Sequence, residues 1–258
     1  MVELIYTIVT LIGTAIGAFI GLGGGLIINP IMVFLKYHDL STITFLSTCA
    51  VFTMTVYNTA VRLLSKEELD KAMVFLISSG AVFGGTIGAK LFDGTLLLLG
   101  EKLAIGIQSI IIIVIFIVVM IYSSGEYKSY KIKHRLGTFS IGLGLGALSS
   151  YLGIGGGPLN ILVYCLFFGC ALKTAMIYSL VTILFSTATR LLVIASTYGF
   201  AQYDTSLLWY ILPAALLGGI IGGLIHKKAS ERTTRLIFLA VCLLLTVLNI
   251  INAKNALF

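Results

Sequence analysis

The sequence predicts an all-α polytopic membrane protein built from two inverted repeats, and three observations carry that prediction. Of 258 residues, 59% are hydrophobic and 10% are charged, against roughly 25% charged in an average soluble domain. Too little polar residue is available to clothe a soluble fold of this size. Several apolar stretches reach the ~20 residues that cross a bilayer as helix. A glycine run also occurs twice, as Gly21-Leu22-Gly23-Gly24-Gly25 and as Gly153-Ile154-Gly155-Gly156-Gly157, the second closed by Pro158.

The first apolar stretch, residues 4–35, is too long for one untilted span, and the glycines divide it into legs at 4–20 and 26–35. Spans follow at about 43–64, 72–91 and 103–122. A basic linker at 124–135 precedes a second broken stretch, with legs at 136–151 and 159–168. Further spans lie at about 172–196, 207–225 and 236–251. The repeat rests on three landmarks in the same order: the glycine runs, Arg62-Leu63-Leu64 with Arg190-Leu191-Leu192, and Gly84-Gly85-Thr86-Ile87-Gly88 with Gly218-Gly219-Ile220-Ile221-Gly222. Residues 1–123 and 136–258 are therefore read as two membrane repeats around a cytoplasmic linker at 124–135. Each is a glycine-broken hairpin plus three transmembrane helices, giving eight full spans on a conservative count or ten helical legs.

Charge decides whether the broken stretches cross or return. If each crosses once, lysine and arginine divide evenly between the two sides. If each is a hairpin that returns to its starting side, twelve basic residues fall inside and four outside, with Arg190 within a span and left uncounted. Cytoplasmic loops are enriched in Lys and Arg, which favours hairpins, inverted halves and both termini outside. The net charge of +7 is thus explained by topology, and no polybasic tail or aromatic platform points to nucleic acid. Glu3, with no Lys or Arg before the first span, argues against a cleaved signal peptide.

A break in helix backbone at membrane depth is tolerated where it is buried in protein or lines a cavity. Consecutive glycine N–H groups form anion-binding nests, and a helix beginning after each break adds the positive end of its dipole. Gly23, Gly24, Gly25, Gly155, Gly156 and Gly157 are the candidates, with close helix packing as the alternative reading. In the following element, Thr48, Thr55, Asn58, Thr59 and Arg62 share one face, matched in the second half by Ser179, Thr182, Ser186, Thr187 and Arg190. Such hydroxyls and amides can hydrogen-bond an oxyanion, or their own backbone. An arginine within a span costs ~2.5–3.5 kcal/mol on insertion scales, so Arg190 is expected to face the interior; Arg62, near Lys66, can snorkel instead. All ten acidic residues lie near span ends or in loops. That speaks against a cation pathway, a metal site, a cofactor and a hydrolytic enzyme alike. The glycine runs lack the strand–helix context and GK[ST] of nucleotide loops. Cys49, Cys165, Cys170 and Cys242 read as small buried hydrophobes, and the Gly84/Gly88 and Gly218/Gly222 motifs as packing faces.

On Gly21 to Gly25 with Pro30, on Gly153 to Gly157 and on the two-half layout, the chain resembles the TauE/SafE family of sulfite and organosulfonate permeases. The resemblance implies a carrier in a prokaryotic cell membrane for a small sulfur-containing anion, with the bilayer as its other partner and a homodimer left open. The expected mechanism is alternating access, with the anion held between the glycine loops and flanked by Arg62 and Arg190, and export as the expected direction. An importer of thiosulfate using Cys49 or Cys165, and a non-transporting assembly subunit, stand as the alternatives.

Overall fold

The computed structural model describes residues 2–64, 70–124, 129–132, 134–152, 156–197 and 199–257. Among them the regular structure is helical: α1 (Val2–Ile20), α2 (Gly25–Leu35), α3 (Leu40–Leu64), α4 (Lys71–Ser124), α5 (Arg135–Leu152), α6 (Gly157–Phe168), α7 (Leu172–Thr197), α8 (Leu208–Lys228) and α9 (Glu231–Leu257), with a 3₁₀ turn at Thr205–Leu207. Six of these helices are long and apolar enough to span a bilayer. One of the six, α4, is two arms long enough to cross twice. Its two arms, expected as separate spans, meet at Gly100, whose φ of 77° and ψ of 171° no helix interior accommodates. Counting those arms separately gives the ten legs read from the sequence. The short legs α2 and α6, with 11 and 12 residues, reach about 16–18 Å at 1.5 Å per residue. That is roughly half of a ~30 Å hydrocarbon core.

Both broken stretches return to the end they start from. Near the start of α1, Tyr6 meets His38 just beyond α2, with its hydroxyl 3.0 Å from Nδ1. Just before α5, the N–H groups of Tyr130 and Ile132 donate to the carbonyls of Leu166 and Phe167 at the end of α6, at 2.8 and 2.7 Å. These two openings lie at opposite ends of the bundle. The α1/α2 opening shares its end with the start of the 3₁₀ turn, where His38 lies 3.8 Å from Asp204, and with Gly100, where the Leu40 N–H donates to Glu101. The α5/α6 opening shares its end with the junctions at Asp70, whose N–H reaches the Tyr178 hydroxyl, and at Ala229, whose carbonyl accepts from Lys173. We call these the terminal face and the linker face.

Two seams of small residues join the halves. Where side chains at Gly80, Gly84 and Gly88 of α4 would stand, the α5 backbone at Phe139, Leu143 and Ala147 passes instead. On α8, Gly218 and Gly222 meet the α1 backbone at Leu11 and Ala15 in the same way. Without a hydrophobic drive between helices in lipid, such close backbone approach supplies the packing that holds them together. The motifs read as packing faces are therefore both used, and each ties a hairpin to the opposite half. The outward face is apolar, as at Leu97, Leu98, Leu217 and Leu244, which suits a surface bathed in acyl chains.

A pair of substitutions on one helix separates packing from helix propensity. Gly146 meets the Ala81 backbone, whereas Gly144 meets nothing within 4 Å. Gly146→Ala should destabilise the detergent-solubilised protein by about 1–3 kcal/mol through overpacking. Gly144→Ala should leave its melting temperature equal or slightly raised. Thermal unfolding of the two variants checks both.

Candidate functional site

The two glycine breaks meet. The Leu22 backbone occupies the place a side chain on Gly157 would take. The Ser179 hydroxyl lies between them, 2.8 Å from the Gly21 carbonyl and 3.3 Å from the Gly157 carbonyl. Gly23, with φ of 78°, packs on Ile183 of α7. Gly24 (φ 51°) and Gly25 start α2, and Gly24 lies against Thr14. The amides of the first break turn inward: Leu22 and Gly23 donate to the Gly17 carbonyl at 3.0 and 3.4 Å, and Gly25 donates to Gly23. In this state the first break caps α1 and presents a carbonyl, not a nest of free N–H groups. In the second break Gly155 lies outside the described residues. Gly156 caps α6 in a left-handed conformation (φ 64°) and packs against the Ser149 hydroxyl.

One turn along α7 from Ile183, a small buried cavity collects the strongest polar chemistry of the chain. Thr48 and Val51 of α3, Ser149 and Ser150 of α5, and Ser186, Thr187 and Arg190 of α7 line it. Arg190 is 5% exposed, and its Nε and Nη1 find no hydrogen-bond partner among the described residues. The guanidinium lies over the Phe92 ring, 4.9 Å from its centroid, a cation–π contact. Asp93, the next residue on α4, acts on it through space. The Ser149 and Ser150 hydroxyls are also buried without a partner among the described residues. Ser186 and Thr187 instead donate to α7 carbonyls, at 3.1 Å to Ile183 and 2.7 Å to Ile183 respectively. Unpaired buried donors cost about 1–3 kcal/mol each, more when charged. A site holding several together is set up for an acceptor-rich ligand. The positive end of the α6 dipole, starting beside Ser149, adds to the same preference.

The remaining predicted residues sit elsewhere. Asn58 donates from Nδ2 to the Met54 and Gly219 carbonyls at 3.0 and 3.2 Å, tying α3 to α8. Thr59 lines a wide apolar groove of about 560 Å³ between α3, α4 and α7, beside Ser78, and the hydroxyls of both are buried without a partner among the described residues. Arg62 is buried near the linker face, where its charge acts on His226, whose Nδ1 lies 2.6 Å from the Phe19 carbonyl. Arg62 does not line the Arg190 cavity, and neither does any of the four cysteines. Sequence reading missed Ser149 and Ser150. Their signal was an adjacent hydroxyl pair in the last turn before the second break. It also missed Phe92 and Asp93, which only the tertiary fold brings to Arg190.

The cavity volume is about 10 Å³, at the threshold for a single water, so an anion with three oxygens must open it. Asn58→Ala should lower stability by about 1 kcal/mol through the lost bond to α8 and leave anion affinity unchanged. Thermal unfolding together with calorimetric titration of the anion tests that separation.

Comparison with known proteins gives a consistent result. The family described as "Sulfite exporter TauE/SafE" matches residues 6–248. The chain is similar to the "Probable membrane transporter protein YunE" of Bacillus subtilis (strain 168), at 26% identity over 268 residues covering 93% of this chain and 94% of that protein. No solved structure matches.

Proposed function

Because the chain belongs to the TauE/SafE family of membrane transporters, and is thus a transporter and not an enzyme, we propose that its cargo is a small sulfur-containing oxyanion such as sulfite or an organosulfonate, bound at the Arg190 cavity. One observation carries the reading: a buried guanidinium with two N–H groups, beside two serine hydroxyls, all without a partner among the described residues. Guanidinium binds two oxygens of an oxyanion as a planar fork, and the serines can meet a third. The cavity lies where α3 of the first half, α5 and α7 of the second half and the start of α6 come together. Transporter sites sit at such places, between opposed repeats with broken helices. The glycine breaks contribute by position, holding α6 against Ser149 and α1 against α7, with Gly23, Gly24, Gly25, Gly155, Gly156 and Gly157 as the joints that alternating access would flex.

Orientation follows from charge. The linker face carries Arg62, Lys71, Lys131, Arg135, Lys173 and the cluster Lys227, Lys228, Arg232 and Arg235. By the positive-inside rule that face is cytoplasmic and both termini are outside. An anion inside a negative cell is driven outward by ~2.3 kcal/mol per charge at 100 mV, so a carrier with no coupled ion exports.

Proteoliposomes loaded with sulfite, sulfate, thiosulfate, taurine or sulfoacetate should show flux for one or more of the sulfur oxyanions. Arg190→Gln should cut that flux about 10- to 100-fold, the loss of a charged hydrogen bond of ~1.5–3 kcal/mol. Arg62→Gln should cut it far less. Equal flux for wild type and Arg190→Gln would remove the cavity from the pathway. A reporter fused to the C-terminus and found active in the cytoplasm would reverse the orientation.

A further inference from the structure

A second buried polar pocket lies on the other side of the α5 end. Asn29 of α2, Gln108 and Ser109 of α4, and Asn249 and Asn252 of α9 line it, together with Leu152 at the α5 C-terminus. All five polar residues are at most 5% exposed. Leu40, Ile105 and Asn252 also line a wider opening on the terminal face, where Lys36 and Lys102 stand alongside Asp39 and Glu101. Opposite charges share that mouth, so it excludes neither sign of ion.

The hydrogen bonds fix which way the amides face. Gln108 donates from Nε2 to the Tyr151 carbonyl at 2.9 Å, Asn249 from Nδ2 to Leu245 at 2.8 Å, and Asn252 from Nδ2 to Pro30 at 3.2 Å. A backbone carbonyl only accepts, so each nitrogen is held to the backbone and each amide oxygen stays outside those bonds, able to accept or to coordinate. The Asn29 nitrogen has no partner among the described residues, so it gives up no hydrogen bond of its own if that amide turns to present its oxygen. The Ser109 hydroxyl completes the ring. The C-terminus of α5 adds the negative end of a helix dipole at Leu152. Neutral oxygens with a helix C-terminus, and no carboxylate, suit a monovalent cation. Divalent ions of this size class take carboxylate ligands. The volume of about 20 Å³ admits one water-sized occupant.

We propose that this pocket is a sodium site, and that its occupancy strengthens anion binding in the Arg190 cavity across the last turn of α5. That turn presents Ser149 and Ser150 to one cavity and the Tyr151 carbonyl and Leu152 to the other. A cation on one side and an anion on the other attract through low-dielectric protein. The coupling rests on the transport reading above; the cation site does not.

The test uses the purified full chain in detergent, titrated with NaCl against choline chloride or KCl at constant ionic strength. Sodium should raise the melting temperature saturably, by about 5–10 °C at a hundredfold excess over its dissociation constant. The rise should vanish in Asn249→Ala and in Gln108→Leu and persist in Arg190→Gln. Sodium should also tighten sulfite binding to the wild type, and sulfite should tighten sodium binding by the same factor. Wild-type melting curves that coincide in sodium, potassium and choline would overturn the site without reference to any variant. Loss of the sodium response in Arg190→Gln would also overturn it, because the effect would then belong to the anion cavity. A sodium response in a protein that moves none of the anions would keep the cation site and defeat the transport reading.

Discussion

Gly157 has no side chain because the backbone of Leu22 fills the place where one would be. Much of the central geometry depends on that contact. It brings the tips of two half-length hairpins together, where each leaves backbone groups without helical partners. In hydrocarbon such groups must be satisfied inside the protein. Here Ser179 serves a carbonyl of each break, and the Gly17 carbonyl takes two amides of the first. The breaks are thus mutually sheltered, and α7, which carries Ser179, is drawn through the middle of the molecule. Arg190 rides on that same helix. Its burial beside the joint is a consequence of where the two hairpins meet.

The small-residue seams bear on how the molecule can move. Each seam holds a hairpin of one sequence half against a long helix of the other, α1 on α8 and α5 on α4. Rocking the halves as intact bodies would slide both seams, whose contacts are backbone against backbone. Displacing α3 and α7 relative to the seam-locked pairs leaves those contacts whole. Thr48, Ser186, Thr187 and Arg190 sit on α3 and α7, while Ser149 and Ser150 sit on a locked helix. Relative motion of these two groups is what would open the cavity, and it alters the site without breaking the seams.

Most of the framework was legible because periodicity, glycine and charge are each strong signals in a membrane. The hairpins, their opposed openings, the two arms of α4 and the small-residue seams all follow from those signals. The site was legible only where a polar residue is anomalous within a span, as Arg190 is. Asn58 was open to either an oxyanion or its own backbone, and its amide is spent on its own helix and on α8. No sequence pattern distinguishes a satisfied amide from an unsatisfied guanidinium. Ser149 and Ser150 were hidden for the opposite reason. Serines near a helix end are ordinary, and only the fold of α7 against α5 makes these two functional candidates. The amide pocket was invisible because its members lie on three elements far apart in sequence, each unexceptional alone.

The two halves share a framework and differ in what they place upon it. At the repeat offset of 132, Ser149 and Ser150 correspond to Gly17 and Ala18. Gly17 has no hydroxyl to offer, lies against Gly24, and gives its carbonyl to the first break. Arg62, the counterpart of Arg190, is placed near His226 and does not line the Arg190 cavity. The second half supplies the arginine and the serine pair of that cavity, while the first half adds Thr48 and Val51 and caps its own break. Two equivalent anion sites would put like charges close together in a low dielectric, where repulsion is strong. A single cavity beside the joint of the two breaks avoids that repulsion.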